Sequence, residues 1–242
     1  MPLIYSQKQA HLEELPSIPT YIMEDATSST ENLLRKVNLF VKDYMSPYDA
    51  SHDYHHVLRV LTLAQHILGE ELKASPSISY DETVVTLAAL LHDVGDTKYV
   101  EPGQYAVTTA ESALLEFGAG LKLARCVQII VENVSYSSEI RNPDGVRGVL
   151  QRHPELAIVQ DADRLDAIGA IGIGRTFTFG GVKRREDGFE GTIKHFTDKL
   201  EKLESMMKTG TGRRLANERT ERLRVFRGWW DEENAMLGSS QD

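Results

Sequence analysis

The chain has 242 residues, 41% apolar and 26% charged, with a net charge of −9. This composition excludes a largely disordered chain and allows a well-buried core. The acidic balance speaks against the broad basic face that extended nucleic acid or an anionic membrane requires.

A single cysteine, Cys126, permits no intrachain disulfide and no cysteine-built zinc site, as expected in a reducing compartment. The apolar run at 84–91, interrupted only by Thr86, is far shorter than the roughly 20 residues of a membrane span. Residues after Tyr5 turn polar at once, with no apolar segment of a secretory signal. A soluble cytoplasmic protein with no membrane partner is expected.

Residues 1–29 contain Pro2, Pro16 and Pro19 and lack sustained periodicity, which predicts an N-terminal arm. From Thr30, Leu33, Leu34, Val37, Phe40, Val41 and Tyr44 recur at three- and four-residue steps and predict a helix that Ser46-Pro47 ends. The same periodicity predicts a second helix over 53–72. Asp81 can cap a third, whose apolar body at 84–91 belongs at the centre of the fold. Further helices are predicted over 110–117, 121–131 and 156–171, with two long ones over 192–207 and about 211–237 forming a C-terminal hairpin. Only 175–181, with Phe177, Phe179 and a glycine pair, hints at an extended piece, and 183–191 reads as a polar loop. No internal repeat is present. The expectation is one all-α domain over residues 30–237.

The central apolar helix runs directly into His92-Asp93, an imidazole and a carboxylate that are costly to bury unless something pairs with them. A divalent ion near the helix end would do so. Two other segments bring groups of the same class: His52-Asp53-Tyr54-His55-His56 upstream and Asp161-Ala162-Asp163-Arg164-Leu165-Asp166 downstream. One histidine from the first and one aspartate from the last would complete a two-imidazole, two-carboxylate set. Such a set suits a cation that keeps open water positions better than a closed structural zinc site.

The ordered motifs H-D-x-x-H-x-x-R-V at 52–60, L-L-H-D-x-x-D-x-K at 90–98 and D-A-D-R-L-D-A-x-G-A-x-G at 161–172 resemble the HD-domain metal-dependent phosphohydrolase superfamily. The likeness is to a small bacterial and fungal branch that includes nucleoside triphosphate pyrophosphohydrolases, and it spans roughly residues 30–235. It implies an HD-domain helical bundle with His56, His92, Asp93 and Asp163 as ligands of one divalent ion: Mn, Mg, Co, Fe or Ni. Two-metal relatives carry additional histidines between the HD pair and the last aspartate. Here only His153 occupies that interval, so a mononuclear centre is implied.

The resemblance also puts Asp96 where related nucleotide hydrolases carry an acidic residue acting on the attacking water. Arg59 or Lys98 can offset phosphate charge. The implied activity is hydrolysis of a phosphoester or phosphoanhydride bond in a nucleotide or related small phosphate ester, by a monomer or homodimer. An iron-dependent oxygenase on the same scaffold and a non-catalytic nucleotide-binding regulatory module are the alternatives.

Blander roles compete at several positions. Asp161 can cap a helix, Asp166 can pair with Arg164 or an exposed base, and His52 and His55 read as supporting or surface groups. Asp53 can orient an imidazole, and Arg59, one turn after His56, can form a structural ion pair. Trp229-Trp230 reads as closing a helical core.

Overall fold

The computed structural model describes residues 29–95 and 109–238. Every regular element among them is helical. Of the arm predicted over 1–29, residues 1–28 lie outside the described residues, as do Asp96 and Lys98, and Ser29 opens the first helix.

Helix α1 (Ser29–Tyr44) buries Leu33, Val37 and Val41 along the predicted stripe. Helix α2 (Tyr54–Ala74) begins at Asp53, whose carboxylate accepts the His56 backbone N–H at 3.0 Å and so caps the helix without touching the imidazole. Helix α3 (Glu82–Leu91) is capped in the same way by Asp81 and is apolar on all sides. Seven of its ten residues are buried, which requires neighbours all round. Helices α4 (Ala110–Glu116) and α5 (Leu121–Val131) follow as predicted. Two short helices, α6 (Tyr136–Arg141) and α7 (Pro143–Arg152), were not predicted. Asn142 caps α7 and Pro143 opens it, a helix-start signal that the sequence does carry.

The helix predicted over 156–171 is two helices, α8 (Glu155–Asp166) and α9 (Gly169–Lys183). The break falls at Gly169, which adopts φ +75° beneath the Arg219 side chain. Arg219 Nη1 donates to the Leu165 carbonyl at 2.6 Å, supplying a partner at the end of α8.

The extended piece expected at 175–181 is a correction: it lies inside α9. Alternating threonine and phenylalanine imitate a strand, but Phe177 packs among Phe189, Phe196, Phe226 and Trp230, contributed by elements later in the chain. Thr176 and Thr178 return their hydroxyls to carbonyls four residues back. Gly172 permits the tight start of α9, since a Cβ there would lie 2.3 Å from the Ala167 carbonyl oxygen. Gly172→Ala should therefore destabilise the protein by about 1–3 kcal/mol. Urea unfolding of the two proteins checks this, and an unchanged midpoint would show that the backbone yields freely.

The segment predicted as one helix over 192–207 also divides, into α10 (Gly188–Asp198) and a 3₁₀ segment (Leu200–Met206). The predicted inward face survives, with Ile193, Phe196, Leu200, Leu203 and Met207 all buried. Helix α11 (Gly210–Gly238) completes the predicted hairpin by packing on the 3₁₀ segment and on α9. Trp230 faces the core, whereas Trp229 is 61% exposed, so the tryptophan pair is split between inside and outside.

Helix α8 is the axis of this arrangement, in contact with α2, α3, α7, α9 and α11. Asp161 does not cap α8. Its buried carboxylate instead accepts the Lys208 and Thr209 backbone N–H groups and the Thr209 hydroxyl, gathering the donors that precede α11. Glu71 of α2 accepts the Thr211 N–H at 2.8 Å. Two buried carboxylates thus anchor the start of α11 to the helices that carry the site. Among the described residues no helix is long and apolar enough to cross a membrane.

Candidate metal centre

Two helix ends and one helix interior converge at a single point. His56 stands in the first turn of α2, His92 and Asp93 follow the last turn of α3, and Asp163 projects from α8. The Nε2 atoms of His56 and His92 are 3.1 Å apart. Asp93 Oδ2 lies 3.4 Å from each of them, and Asp163 Oδ1 lies 3.6 Å from one and 3.8 Å from the other. The ligand atoms of His56, His92 and Asp93 all fall within 4.8 Å of one another. Asp163 has the most exposed side chain of the four, at 26%, and marks the side open to solvent.

The proton positions follow from what holds the far side of each ring. His92 Nδ1 donates to the Ala89 carbonyl at 2.8 Å, which assigns its proton to Nδ1. His56 Nδ1 donates to Asp166 Oδ2, also at 2.8 Å. In the neutral tautomers both Nε2 lone pairs therefore face each other, and the buried Asp93 Oδ2 beside them has no hydrogen-bond partner. Three acceptors with no donor between them fit a cation, since a buried polar atom otherwise needs a partner.

Metal-free, the pocket's charge balance favours a proton. Burial pushes the His92 imidazolium down, but the Asp93 carboxylate, Asp163 and the Ala89 carbonyl outweigh it and take the group up to about 9. Burial likewise pushes Asp93 up, and the two imidazoles overturn that, holding its carboxyl well below the usual range.

Asp166, which the sequence suggested as a partner of Arg164 or an exposed base, is buried beside the centre. It binds His56, the Arg59 Nε and Nη2 atoms at 2.8 and 3.0 Å, and Arg175 Nη1 at 3.0 Å. The signal for it was present: a second carboxylate three residues after Asp163 on an apolar helix shares nearly the same face and must be paired if buried. Arg59 thus forms a structural ion pair, using two of its five N–H groups on Asp166. Arg175 was not among the expected site residues, and its place within an apparent strand concealed it. His52 borders the centre, its ring edge-on to both His56 and Phe179. Its Nδ1 lies 2.8 Å from the Ser51 hydroxyl, and burial lowers its pKa to about 4.

Residues 53–168, which include all four converging side chains, match the HD domain family. The uncharacterized Bacillus subtilis (strain 168) protein YpgQ is 38% identical over 191 residues, covering 76% of this chain and 85% of its own. The chain belongs to the HD-domain phosphohydrolase superfamily. Solved structures agree with this membership. The crystal structure of Bacillus subtilis YpgQ in complex with ADP aligns with this HD-domain protein at a TM-score of 0.65 and 30% identity, over 85% of this chain and 97% of the other. An HD-superfamily hydrolase from Bacillus thuringiensis aligns at a TM-score of 0.55 and 27% identity, over 84% and 97%. As an HD-domain protein the chain is a metal-dependent hydrolase, with a His–His–Asp group able to hold the ion.

Proposed function

We propose that the chain hydrolyses a phosphoester or phosphoanhydride bond of a nucleotide or related small phosphate ester. The observation that carries this reading is the pair of imidazole lone pairs at 3.1 Å beside the unpartnered Asp93 Oδ2. In this reading His56, His92, Asp93 and Asp163 hold one divalent ion: Mn, Mg, Co, Fe or Ni. Such an ion lowers the pKa of a bound water and polarises a phosphoryl oxygen.

The protein's own groups have separate tasks. Asp96, three residues beyond Asp93, accepts the proton of the attacking water, and Lys98 offsets phosphate charge. Arg59 contributes cationic charge at the rim, where its Nη1 remains for a phosphate oxygen while Asp166 holds the rest of the guanidinium. The phosphorus–oxygen bond to the leaving group breaks as water adds, releasing phosphate or pyrophosphate. The complex of YpgQ with ADP supports a nucleotide as the substrate class. The acidic chain as a whole supports a small phosphate compound over extended nucleic acid.

The test is a nucleotide panel with the full-length protein, stripped of metal and reloaded with Mn or Co, using separate detection of phosphate and pyrophosphate. Metal-dependent release from at least one nucleotide is the expected result, and the anion detected assigns the bond. Silence across the panel in fully loaded protein would overturn the nucleotide reading.

A further inference from the structure

We infer that Asp166 is a positioning residue for the metal ligand His56, and that Arg175 locks Asp166 into that role. The inference rests on the metal-binding reading of the cluster and concerns which nitrogen of His56 that cluster receives. A histidine offers a lone pair at Nε2 only if its proton is kept at Nδ1, and something on the far side of the ring must keep it there. Asp166 Oδ2 does so at 2.8 Å from Nδ1, with 1% of the aspartate side chain exposed. Ala89 provides the equivalent restraint for His92 from a backbone carbonyl, which no substitution of the Ala89 side chain removes. The His56 restraint is instead a side chain, and so depends on what fixes that side chain.

Two arginines fix it from different elements. Arg59, one turn along α2 from His56, engages Oδ1 and Oδ2 side-on. Arg175, from α9, donates Nη1 to Oδ2 at 3.0 Å and Nε to the Ser51 carbonyl at 2.7 Å, pinning its own fork between α8 and the turn that precedes α2. Burial alone would disfavour the Asp166 carboxylate. The hydrogen bonds from His56 and the two guanidinium groups, all at 2.8–3.0 Å, offset that burial by pairing the carboxylate on every side they reach. Carboxylate, imidazole and ligand face thus form a line whose outer end is anchored by α9.

The test uses full-length Asp166→Asn and Arg175→Lys with two readouts. Nitrogen-15 spectra of histidine-labelled, metal-free protein report the tautomer of His56, and Mn titration of stripped protein reports affinity. Wild type should show the Nδ1–H form. Asp166→Asn should show a mixture or the Nε2–H form and bind Mn about 10–100-fold more weakly, the range typical for loss of such a partner. Arg175→Lys, which keeps the charge but loses the two-pronged hold, should move both readouts in the same direction by a smaller factor. If Asp166→Asn fails to fold, Arg175→Lys decides alone. A folded variant with the wild-type tautomer and wild-type Mn affinity overturns the inference. Wild-type protein that binds no Mn yet shows an Asp166-dependent tautomer would instead overturn the metal reading and leave the positioning intact.

Discussion

Asp93→Ala should abolish tight divalent-metal binding, weakening Mn affinity by more than the roughly 100-fold upper range for losing an outer partner, and should take metal-dependent hydrolysis to background. The side chain removed is the anionic member of the buried trio, and its Oδ2 is held by no hydrogen bond. Asp93 lies beyond the last turn of α3, outside any helix body, so the far-UV circular dichroism of metal-free protein should be retained. Removing Asp93 also removes the main partner that raises His92 to about 9, so the His92 titration should move down in the variant. In wild type the sign is the reverse. The His92 proton stabilises metal-free protein fully below its ordinary value near 6.5, and this contribution is lost as pH rises through about 9. Metal analysis after exhaustive dialysis, together with imidazole titration by NMR, checks both statements. A variant that keeps stoichiometric Mn would remove Asp93 from the ligand set.

Glu139→Ala should cost about 3 kcal/mol of stability at neutral pH, because it leaves a buried guanidinium uncompensated. Arg164 is 1% exposed within α8, with Nη2 donating to Glu139 Oε2 at 2.6 Å and Nη1 to the Met206 carbonyl at 3.0 Å. Lys208 adds a second cation to the same carboxylate at 2.9 Å, so the clamp closes α6 and α8 onto the turn before α11. Burial would raise the Glu139 pKa, but the Arg164 charge and the hydrogen bonds from Lys208 and Arg164 lower it below the ordinary 4.5. The stabilisation is therefore fully present above the unfolded value and is lost as pH falls through the folded one. Urea unfolding at pH 7 measures the cost of Glu139→Ala, and the curves of wild type and the isosteric Glu139→Gln, well separated at pH 7, should draw together as pH falls below the ordinary 4.5. A separation independent of pH would locate the effect in packing instead of charge.

Periodicity made most of the helical stripe legible in the sequence, because buried Leu33, Val37, Val41, Val57, Val60 and Ala64 obey the 3.6-residue repeat without competition. It failed where tertiary contacts decide. The break at Gly169 depends on Arg219, fifty residues later, lying across it. The helical state of 175–181 depends on aromatic partners from α10 and α11, which no local window contains. The four side chains His56, His92, Asp93 and Asp163 were named as a set from ordered motifs, and the structure brings them together. Their supports were less visible. A buried aspartate and an exposed one share a letter, so the pairing of Asp166 with His56 becomes visible only when α2 and α8 are packed side by side.

That packing bears on where the working unit ends. The family match stops at Ile168, yet much that steadies the centre comes from beyond it: Arg175 on Asp166, Arg219 on the Leu165 carbonyl, and the Lys208 and Thr209 donors on Asp161. A fragment cut at that boundary would keep all four converging side chains and lose these restraints, exposing two buried carboxylates and the carbonyl at the end of α8. The C-terminal helices are in this sense the outer frame of the candidate centre, and sequence variation at the far end of the chain can reach the His–His–Asp group without touching it.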